Sequence, residues 1–218
     1  MRYKNRSIQI SCDGGAATGK STGAKMISKK YKLNFLSSGL LYRYASFLIL
    51  RYKPENKLNF LKKNFKKLNY KNLNIIKLHS PEISEYSAKI AKKNELRKIL
   101  KKFQIDFAKK HKRCCIEGRD ISTKILPFSD VKFYFRCNLS IAANRRYAEL
   151  KKFDRSIKLK EVKKALRIRN LLDTTRKHSP LLKHRNSVEI DTGKLNKQAM
   201  LKKMSNYIDK ALLKKYAS

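Results

Sequence analysis

A glycine-rich segment near the N-terminus restricts the possible folds of this chain more than any other part of its sequence. It reads Gly14-Gly15-Ala16-Ala17-Thr18-Gly19-Lys20-Ser21 and fits the pattern G-x-x-x-x-G-K-S/T throughout. An alternating apolar run at 7–12 precedes it, and a helix-prone run at 19–31 follows it. Glycines allow the backbone to turn so that successive N–H groups surround phosphate oxygens at the positive end of the next helix. The segment therefore predicts a phosphate-binding loop, with a chance glycine turn as the alternative.

The residue types in this loop predict separate roles in binding ATP. Lys20 would neutralise charge on the β- and γ-phosphates, and the Ser21 hydroxyl would hold Mg²⁺. ATP would then be the phosphoryl donor and Mg²⁺ the cofactor. The whole predicted ATP-binding segment consists of Gly14, Gly15, Ala16, Ala17, Thr18, Gly19, Lys20, Ser21 and Thr22.

Short apolar runs alternate with helical patterns along the rest of the chain. This alternation predicts an α/β fold with a central five-stranded parallel sheet flanked by helices. Strands are predicted at 7–12, 33–36, 113–116, 131–136 and 187–191. Residues 55–77 are rich in Lys and Asn with weak periodicity, and we interpret them as an insertion outside the sheet. Ligands of such sheets bind where the strands end, which is where Gly14, Ser38, Asn138 and residues 117–120 would lie.

The net charge of +39 raises the possibility of nucleic-acid binding, since a basic surface attracts polyphosphates. The 55 basic residues are spread along the chain, however, and no zinc-finger, helix-turn-helix or RNP-type motif accompanies them. We expect no specific nucleic-acid partner and favour small, phosphate-bearing substrates. A basic nucleic-acid-binding protein that keeps an ATP site remains the alternative from another class.

Hydropathy and cysteine usage predict a protein of the cytoplasm. No run of about 18 apolar residues is present, and the N-terminus has no apolar signal-peptide core, so no membrane association is expected. The cysteines show no C-x-x-C spacing and mostly lie in strand-like runs, which predicts buried free thiols. The four histidines are scattered without metal-ligand spacing.

Two charged clusters stand out beyond the glycine-rich loop. Glu117-Gly118-Arg119-Asp120 places three charges just past a predicted core strand, so the turn should face a wet cleft unless it forms a local ion pair. Arg169, Asp173 and Arg176 follow at i, i+4 and i+7, on one face of a predicted helix. Such spacing alone is more often a solvated face than a site.

With these motifs in hand, the chain resembles the bacterial cytidylate kinases, a family of the nucleoside monophosphate kinase superfamily. The Gly-Arg-Asp turn and the R-x-x-x-D-x-x-R-x-x-x-P-L run are the most specific segments of this likeness. The similarity runs nearly from end to end and is carried by Asp13 to Thr22, Ser38-Gly39, Tyr42-Arg43, Glu117 to Ile121, Pro127, Val131 to Phe135, Arg145 to Tyr147, Glu149-Leu150, Arg169, Asp173, Arg176, Pro180-Leu181 and Asp191-Thr192.

The resemblance implies a single P-loop kinase domain that transfers the γ-phosphoryl group of ATP to CMP or dCMP. It implies a core of about 1–53, 111–143 and 160–218, a nucleoside-monophosphate-binding insertion of about 54–110 and a lid of about 144–159. We expect a monomer. A P-loop kinase for another small acceptor, such as a different nucleoside monophosphate, is the alternative among enzymes.

The resemblance also implies roles for individual residues. Arg43 and Arg119 would grip the CMP phosphate, and Asp120 would select cytosine. Arg169 and Asp173 would meet the ribose, with Arg176 close by, and Ser38 and Tyr42 would line the same acceptor site. Arg145, Arg146 and Arg155 would belong to the lid that closes over ATP. Lys20, Arg119, Arg145 and Arg146 are the candidate catalytic residues.

Several residues depart from the family pattern. Ser37 stands where relatives have Asp, Gly15 where they have Pro, and Ala142 where they have an arginine. Residues 170–172 replace largely charged residues. His79 takes the place of a nucleotide-holding arginine, so we expect acceptor binding to depend on the protonation of this histidine.

Overall fold

The computed structural model describes residues 6–74, 78 and 80–217, which form two compact units. The first unit combines the chain up to Phe35 with the chain from Lys112 onward, and the second is Leu36–His111. The predicted insertion of about 54–110 falls within the second unit. His79 lies outside the described residues, so its predicted effect on acceptor binding stays a prediction.

The first unit is built on the predicted sheet. Its strands are β1 (Ile8–Gly14), β2 (Asn34–Ser37, whose last two residues belong to the second unit), β3 (Arg113–Gly118), β4 (Val131–Arg136) and β5 (Val188–Asp191). Its helices are α1 (Lys20–Tyr31), α6 (Leu139–Leu150), α7 (Leu159–Thr175) and α8 (Lys197–Tyr216). Across the described residues the strand order is β2-β3-β1-β4-β5. The expected α/β fold with a five-stranded parallel sheet is confirmed.

Strand register brings the ends of three strands together at one edge of the sheet. Asp13 in β1 is aligned with Gly118 in β3, and Gly14 is aligned with Phe135 in β4. The phosphate loop after β1 and the charged turn after β3 therefore begin side by side. This is the edge at which parallel sheets bind their ligands.

The core of the first unit explains why β1 and β4 are almost continuously apolar. Buried side chains of these strands, such as Ile10 and Phe133, pack with Ile27 of α1 and Met204 of α8. Strands covered by helices on both faces need apolar residues at successive positions rather than alternating ones. A smaller cluster joins Ala16 of the phosphate loop to α6 and α7.

The second unit is helical, with α2 (Ser38–Tyr52), α3 (Lys57–Lys67), α4 (Pro81–Ile90) and α5 (Asn94–Lys110). The sequence analysis assigned no element to 55–77, and α3 corrects this. Asn56 caps α3 by accepting a hydrogen bond from the Asn59 N–H at 3.0 Å, and Leu61 and Phe65 are buried. The spacing of these two apolar residues is helical, but the surrounding lysines and asparagines weaken the pattern in the sequence.

A serine caps α2, and the cysteines are placed as predicted. The Ser37 hydroxyl accepts a hydrogen bond from the Leu40 N–H at 3.3 Å, as is common for a serine at a helix N-terminus. The cysteines are free, and Cys12, Cys114 and Cys115 are buried. Among the described residues, no helix is both long enough and apolar enough to cross a membrane.

Candidate active site

The phosphate loop runs from the end of β1 to the start of α1. Its backbone geometry explains why glycine occurs at positions 14 and 19. A Cβ on Gly14 would lie 2.4 Å from the Phe135 carbonyl oxygen, so only glycine fits this approach of two strands. Gly19 has φ +78°, a left-handed conformation that favours glycine, and it caps α1. Gly19 has no side chain to accept a hydrogen bond from the first N–H groups of α1, which leaves the positive helix end for an anion.

Lys20 lies inside this loop as a buried cation. Its Nζ donates to the Gly15 carbonyl oxygen at 3.3 Å and lies 3.7 Å from Glu117 Oε2. Burial, and after it the positive charge of Arg119, lower the pKa of Lys20 to about 8, although the charge of Glu117 raises it. The loop thus holds a cation that lacks full solvation and can be stabilised by an anionic ligand.

Asp13 joins the end of β1 to the turn after β3. Its carboxylate accepts hydrogen bonds from the Ile121 N–H at 2.8 Å, the Ser122 N–H at 2.7 Å and the Ser122 hydroxyl at 2.6 Å. These donors belong to a single π-helical turn, Ile121–Ile125. Burial raises the pKa of Asp13 to about 6, although the three hydrogen bonds favour the carboxylate. Asp13 therefore fixes the turn that carries Arg119 and Asp120.

The structure brings the two charged clusters of the sequence together. Arg119 Nε donates to Asp173 Oδ2 at 2.8 Å, and Arg176 Nη1 donates to Asp173 Oδ1 at 3.2 Å. Burial alone would raise the pKa of Asp173, but Arg119, Arg169 and Arg176 together hold it below its usual value. This face of α7 is therefore not simply solvated, because its carboxylate is largely buried and bridges two elements.

Asp120 follows Arg119 at the end of β3 and is only 6% exposed. Its carbonyl oxygen accepts a hydrogen bond from the Lys124 N–H at 2.9 Å, which closes the turn after β3. A carboxylate in so dry a position can discriminate strongly between donors and acceptors on a ligand.

Arg145 of α6 reaches the phosphate loop through Thr192. Its guanidinium donates to the Thr192 hydroxyl at 2.9 Å and to the Thr192 carbonyl oxygen at 2.7 Å. The same hydroxyl donates to the Thr18 carbonyl oxygen at 2.8 Å. Arg146 instead pairs with Glu149 on its own helix at 3.0 Å. Of the three predicted lid arginines, Arg145 is thus linked to the loop through Thr192, whereas Arg146 pairs within its own helix.

The sequence analysis gave no site role to three residues that hold the loop. Thr192 bridges it to Arg145, and Glu117 lies beside Lys20. Asn170 Oδ1 accepts a hydrogen bond from the Ala16 N–H at 3.1 Å. Glu117 lies near the end of β3 and Thr192 directly follows β5, both at the ligand-binding edge, and this placement was the available signal. Nothing local in the sequence distinguishes Asn170 from the other polar residues of α7.

Ser38, Tyr42 and Arg43 lie in the first turns of α2, in the second unit. Ser38 is buried, and the guanidinium of Arg97 lies 5.5 Å from the centre of the Tyr42 ring. Cation–π contact of this kind fixes the ring and places a positive charge at the same end of the helix. Three of the residues predicted to bind the acceptor are thus adjacent on one helix.

Fold and site together define a P-loop kinase. A phosphate loop follows the central strand of a five-stranded parallel sheet, and a buried lysine in that loop lies near an arginine–carboxylate cluster at the same edge. A family model described as cytidylate kinase matches residues 10–210. The chain belongs to the cytidylate kinase family.

Individual relatives agree with this assignment. Cytidylate kinase of Bartonella quintana is 37% identical, over 92% of this chain and 94% of its own length. Cytidylate kinase of Bartonella tribocorum is 35% identical over the same shares of the two chains. That of Clostridium tetani is 30% identical, over 95% of this chain and 96% of its own length.

Solved structures support the fold alone. A protein of Eubacterium ventriosum superposes with a TM-score of 0.56 at 14% identity, covering 93% of this chain and 98% of its own. A Thermus thermophilus protein gives a TM-score of 0.53 at 15% identity, covering 94% and 98%.

Proposed function

We propose that this chain transfers the γ-phosphoryl group of ATP to CMP or dCMP, giving ADP and CDP or dCDP. One observation carries the proposal: the phosphate loop with Lys20 and the turn with Arg119 and Asp120 leave neighbouring strands at the same sheet edge. Membership of the cytidylate kinase family supports the choice of acceptor.

The donor end of the site is the phosphate loop. Backbone N–H groups of residues 14–22, other than the Ala16 N–H that donates to Asn170, hold the phosphates of ATP. Lys20 then leaves the Gly15 carbonyl oxygen and Glu117 for the β- and γ-phosphate oxygens. The negative charge of a triphosphate stabilises the protonated form of Lys20, which burial by itself disfavours. Arg145 and Arg146 contribute positive charge from the predicted lid, about 144–159.

The acceptor end uses the charged turn, α7 and the predicted insertion, about 54–110, together with the start of α2. Arg119 and Arg43 bind the phosphate of CMP, and Asp120 accepts a hydrogen bond from the cytosine amine. Arg169, Asp173 and Arg176 bind the sugar side of the nucleotide, and the family resemblance assigns Ser38 and Tyr42 to the acceptor as well. Asp173 therefore exchanges part of its pairing with Arg119 for contacts with the substrate.

Magnesium fits the donor end through Ser21. This hydroxyl lies in the first turn of α1, directly after Lys20, and hard cations such as Mg²⁺ prefer oxygen ligands. No group of three potential metal-binding His, Cys, Asp or Glu side chains occurs in the described part of the chain. Ser21 would therefore share the ion with phosphate oxygens of ATP, and the ion would neutralise part of their charge.

Catalysis by these residues consists of positioning and charge stabilisation. A phosphate oxygen of CMP attacks the γ-phosphorus of ATP in line, and the bond to the β,γ-bridging oxygen breaks. Lys20, Arg119 and Arg145 stabilise the charge of the transferring group. No covalent intermediate with the protein forms.

An acceptor screen tests the proposal. The purified chain with ATP and Mg²⁺ is offered CMP, dCMP, UMP, AMP or GMP, and the nucleoside diphosphate formed is measured. We expect turnover with CMP or dCMP to exceed that with the purine nucleotides by at least about a hundredfold. Preferred turnover of AMP or GMP would instead assign the chain to another acceptor.

A further inference from the structure

The peptide unit between Gly15 and Ala16 is held at both of its polar ends. Its carbonyl oxygen accepts hydrogen bonds from the Thr18 hydroxyl at 3.0 Å and from Lys20 Nζ at 3.3 Å. Its N–H donates to Asn170 Oδ1 at 3.1 Å. Two of these three contacts come from the loop itself, and the third comes from a helix 154 residues further along the chain.

The helix that supplies this contact also carries the carboxylate of the arginine cluster. Asn170 and Asp173 lie three residues apart in α7, so their side chains project from the same side of the helix. Asp173 binds Arg119 at 2.8 Å, and Asn170 binds the phosphate loop at 3.1 Å. One rigid turn of helix therefore connects the loop to Arg119.

Gly15 permits this connection. A Cβ built on Gly15 would lie 3.2 Å from Asn170 Oδ1, closer than most real Cβ contacts. The absence of a side chain at this position lets the asparagine approach the loop backbone. Gly15 and Asn170 are therefore a matched pair, although each alone is an unremarkable polar or small residue in the sequence.

Donor binding changes which contacts hold the peptide. When Lys20 turns to the phosphates, the Gly15 carbonyl oxygen loses one of its two donors. Asn170 is then the contact from outside the loop that keeps the Ala16 N–H in place. This bond, together with the packing of Ala16 against α7, gives α7 a direct connection from Asp173 to the loop.

We infer that Asn170 is a positioning residue that couples binding of the phosphoryl donor to binding of the acceptor. The inference rests on the proposed function, because it takes Arg119 and Asp173 as acceptor-side residues. Coupling between two sites is reciprocal: if CMP tightens ATP binding through Asn170, ATP tightens CMP binding by the same factor.

Calorimetry with a non-hydrolysable ATP analogue tests this inference without relying on turnover. The dissociation constant of the analogue is measured with and without saturating CMP. We expect a ratio of about fivefold or more in the wild type, which is the usual lower range for coupled sites. In Asn170→Leu, which keeps the branched shape but removes the acceptor, the ratio should fall below about twofold. In Asn170→Asp, which keeps an acceptor oxygen, the ratio should be largely restored.

Two further variants distinguish a loss of coupling between the donor and acceptor sites from a general loss of structure. Leu171→Ala is the matched control, because Leu171 is on the same helix and 61% exposed, and its ratio should equal that of the wild type. Gly15→Ala should weaken the same hydrogen bond, because the added Cβ would crowd Asn170 Oδ1. It should therefore lower the ratio of dissociation constants as Asn170→Leu does. If Asn170→Leu does not fold, Gly15→Ala provides the test in its place. Faster hydrogen exchange of the Ala16 N–H in Asn170→Leu or Gly15→Ala is expected as well.

The outcomes distinguish this inference from the proposed function. A wild-type chain that binds the analogue but neither binds nor phosphorylates CMP overturns the proposed function, and the inference with it. A wild-type chain that phosphorylates CMP, with equal coupling in the wild type, Asn170→Leu and Gly15→Ala, overturns the inference alone. Absence of coupling in an active wild type overturns it as well.

Discussion

The burial of Lys20 is unfavourable for the stability of the fold but favourable for binding an anionic ligand. The residue is only 8% exposed, and burial together with the charge of Arg119 brings its pKa down to about 8. Glu117 at 3.7 Å only partly offsets the lost hydration. An anionic ligand would supply the negative charge that Glu117 provides only in part, so the position of Lys20 favours phosphate binding.

We expect Lys20→Ala to lower kcat by at least about a hundredfold, since removing one fixed donor from a charged transition state has effects of this size. Circular dichroism should show an unchanged fold. Lys29→Ala, an exposed lysine of the same helix, is the control and should keep full activity. Near-normal turnover of a folded Lys20→Ala variant would contradict the proposed role of the loop.

Asp120 is the residue that we propose selects the base. Cytosine offers an amine where uracil offers a carbonyl oxygen, and a buried carboxylate accepts from the first and repels the second. In Asp120→Asn the amide can turn either a donor or an acceptor to the base. We therefore expect a large fall in kcat/KM for CMP and a smaller fall, or a rise, for UMP.

The alternative for Asp120 is a purely structural role after Arg119. That role predicts equal losses of kcat/KM for CMP and UMP. Steady-state kinetics with both substrates, together with the thermal midpoint of each variant, decide between the two. Parallel losses at unchanged thermal stability would show that Asp120 does not select the base.

At the scale of elements, the junction between β1 and the turn after β3 depends on one carboxylate. Burial raises the pKa of Asp13 to about 6, from an ordinary value of 3.8. Between these two pH values the folded state binds a proton that the unfolded state releases. The contribution of Asp13 to stability is therefore fully present below about pH 3.8 and lost as pH rises through 6, by about 3 kcal/mol in total.

Urea denaturation of the wild type and of Asp13→Asn from pH 4 to 7 measures this contribution. The difference in free energy of unfolding between the two proteins should shift against the wild type as pH rises to 6, then level off. Other carboxylates titrate in both proteins and cancel in the difference. A pH-independent difference would show that the Asp13 pKa is not raised.

The packing of α1 on β4 depends on Gly23. A Cβ there would lie 2.7 Å and 2.9 Å from ring atoms of Phe135, a side chain with no exposed surface. Alanine favours a helix interior by about 1 kcal/mol over glycine, but overpacking a rigid core costs about 1–3 kcal/mol. We expect Gly23→Ala to lower the free energy of unfolding.

Gly39→Ala is the matched comparison for this substitution. Gly39 also lies in a helix, but the nearest atom to its added Cβ would be the Ser37 hydroxyl oxygen at 3.7 Å, an ordinary contact. Its stability should be unchanged or up to about 1 kcal/mol higher. Chemical denaturation of both variants gives the two values, and equal effects would contradict the packing argument.

At the scale of the whole molecule, the net charge of +39 is the dominant property. If it has no specific partner, oligonucleotide binding should be blind to sequence and steeply dependent on salt. We expect several unrelated oligonucleotides to bind with similar affinity at about 20 mM salt and to dissociate at about 150 mM. Fluorescence anisotropy measures both conditions. Tight, selective binding at the higher salt would favour the nucleic-acid alternative.

The sequence by itself determined the type of fold and the location of the phosphate loop. Short-range patterns carry this information: apolar runs define β1, β3 and β4, and the spacing of Gly14, Gly19 and Lys20 defines the loop. The secondary structure of residues 55–77 could not be predicted, because lysines and asparagines obscured the helical spacing of Leu61 and Phe65. Burial within the second unit stabilises α3, and such packing is not visible in a window of sequence.

Only the tertiary structure decided which polar residues meet. Arg119 and Asp173 are 54 residues apart in the chain, and Ala16 and Asn170 are 154 apart, yet each pair forms a direct hydrogen bond. Side-chain hydrogen bonds require positions within about 3.5 Å. The sheet order and the docking of α7 against the loop set those positions. Local sequence patterns identify the residues that can bind phosphate. The packing of elements that are distant in the chain determines which of those residues form hydrogen bonds with one another.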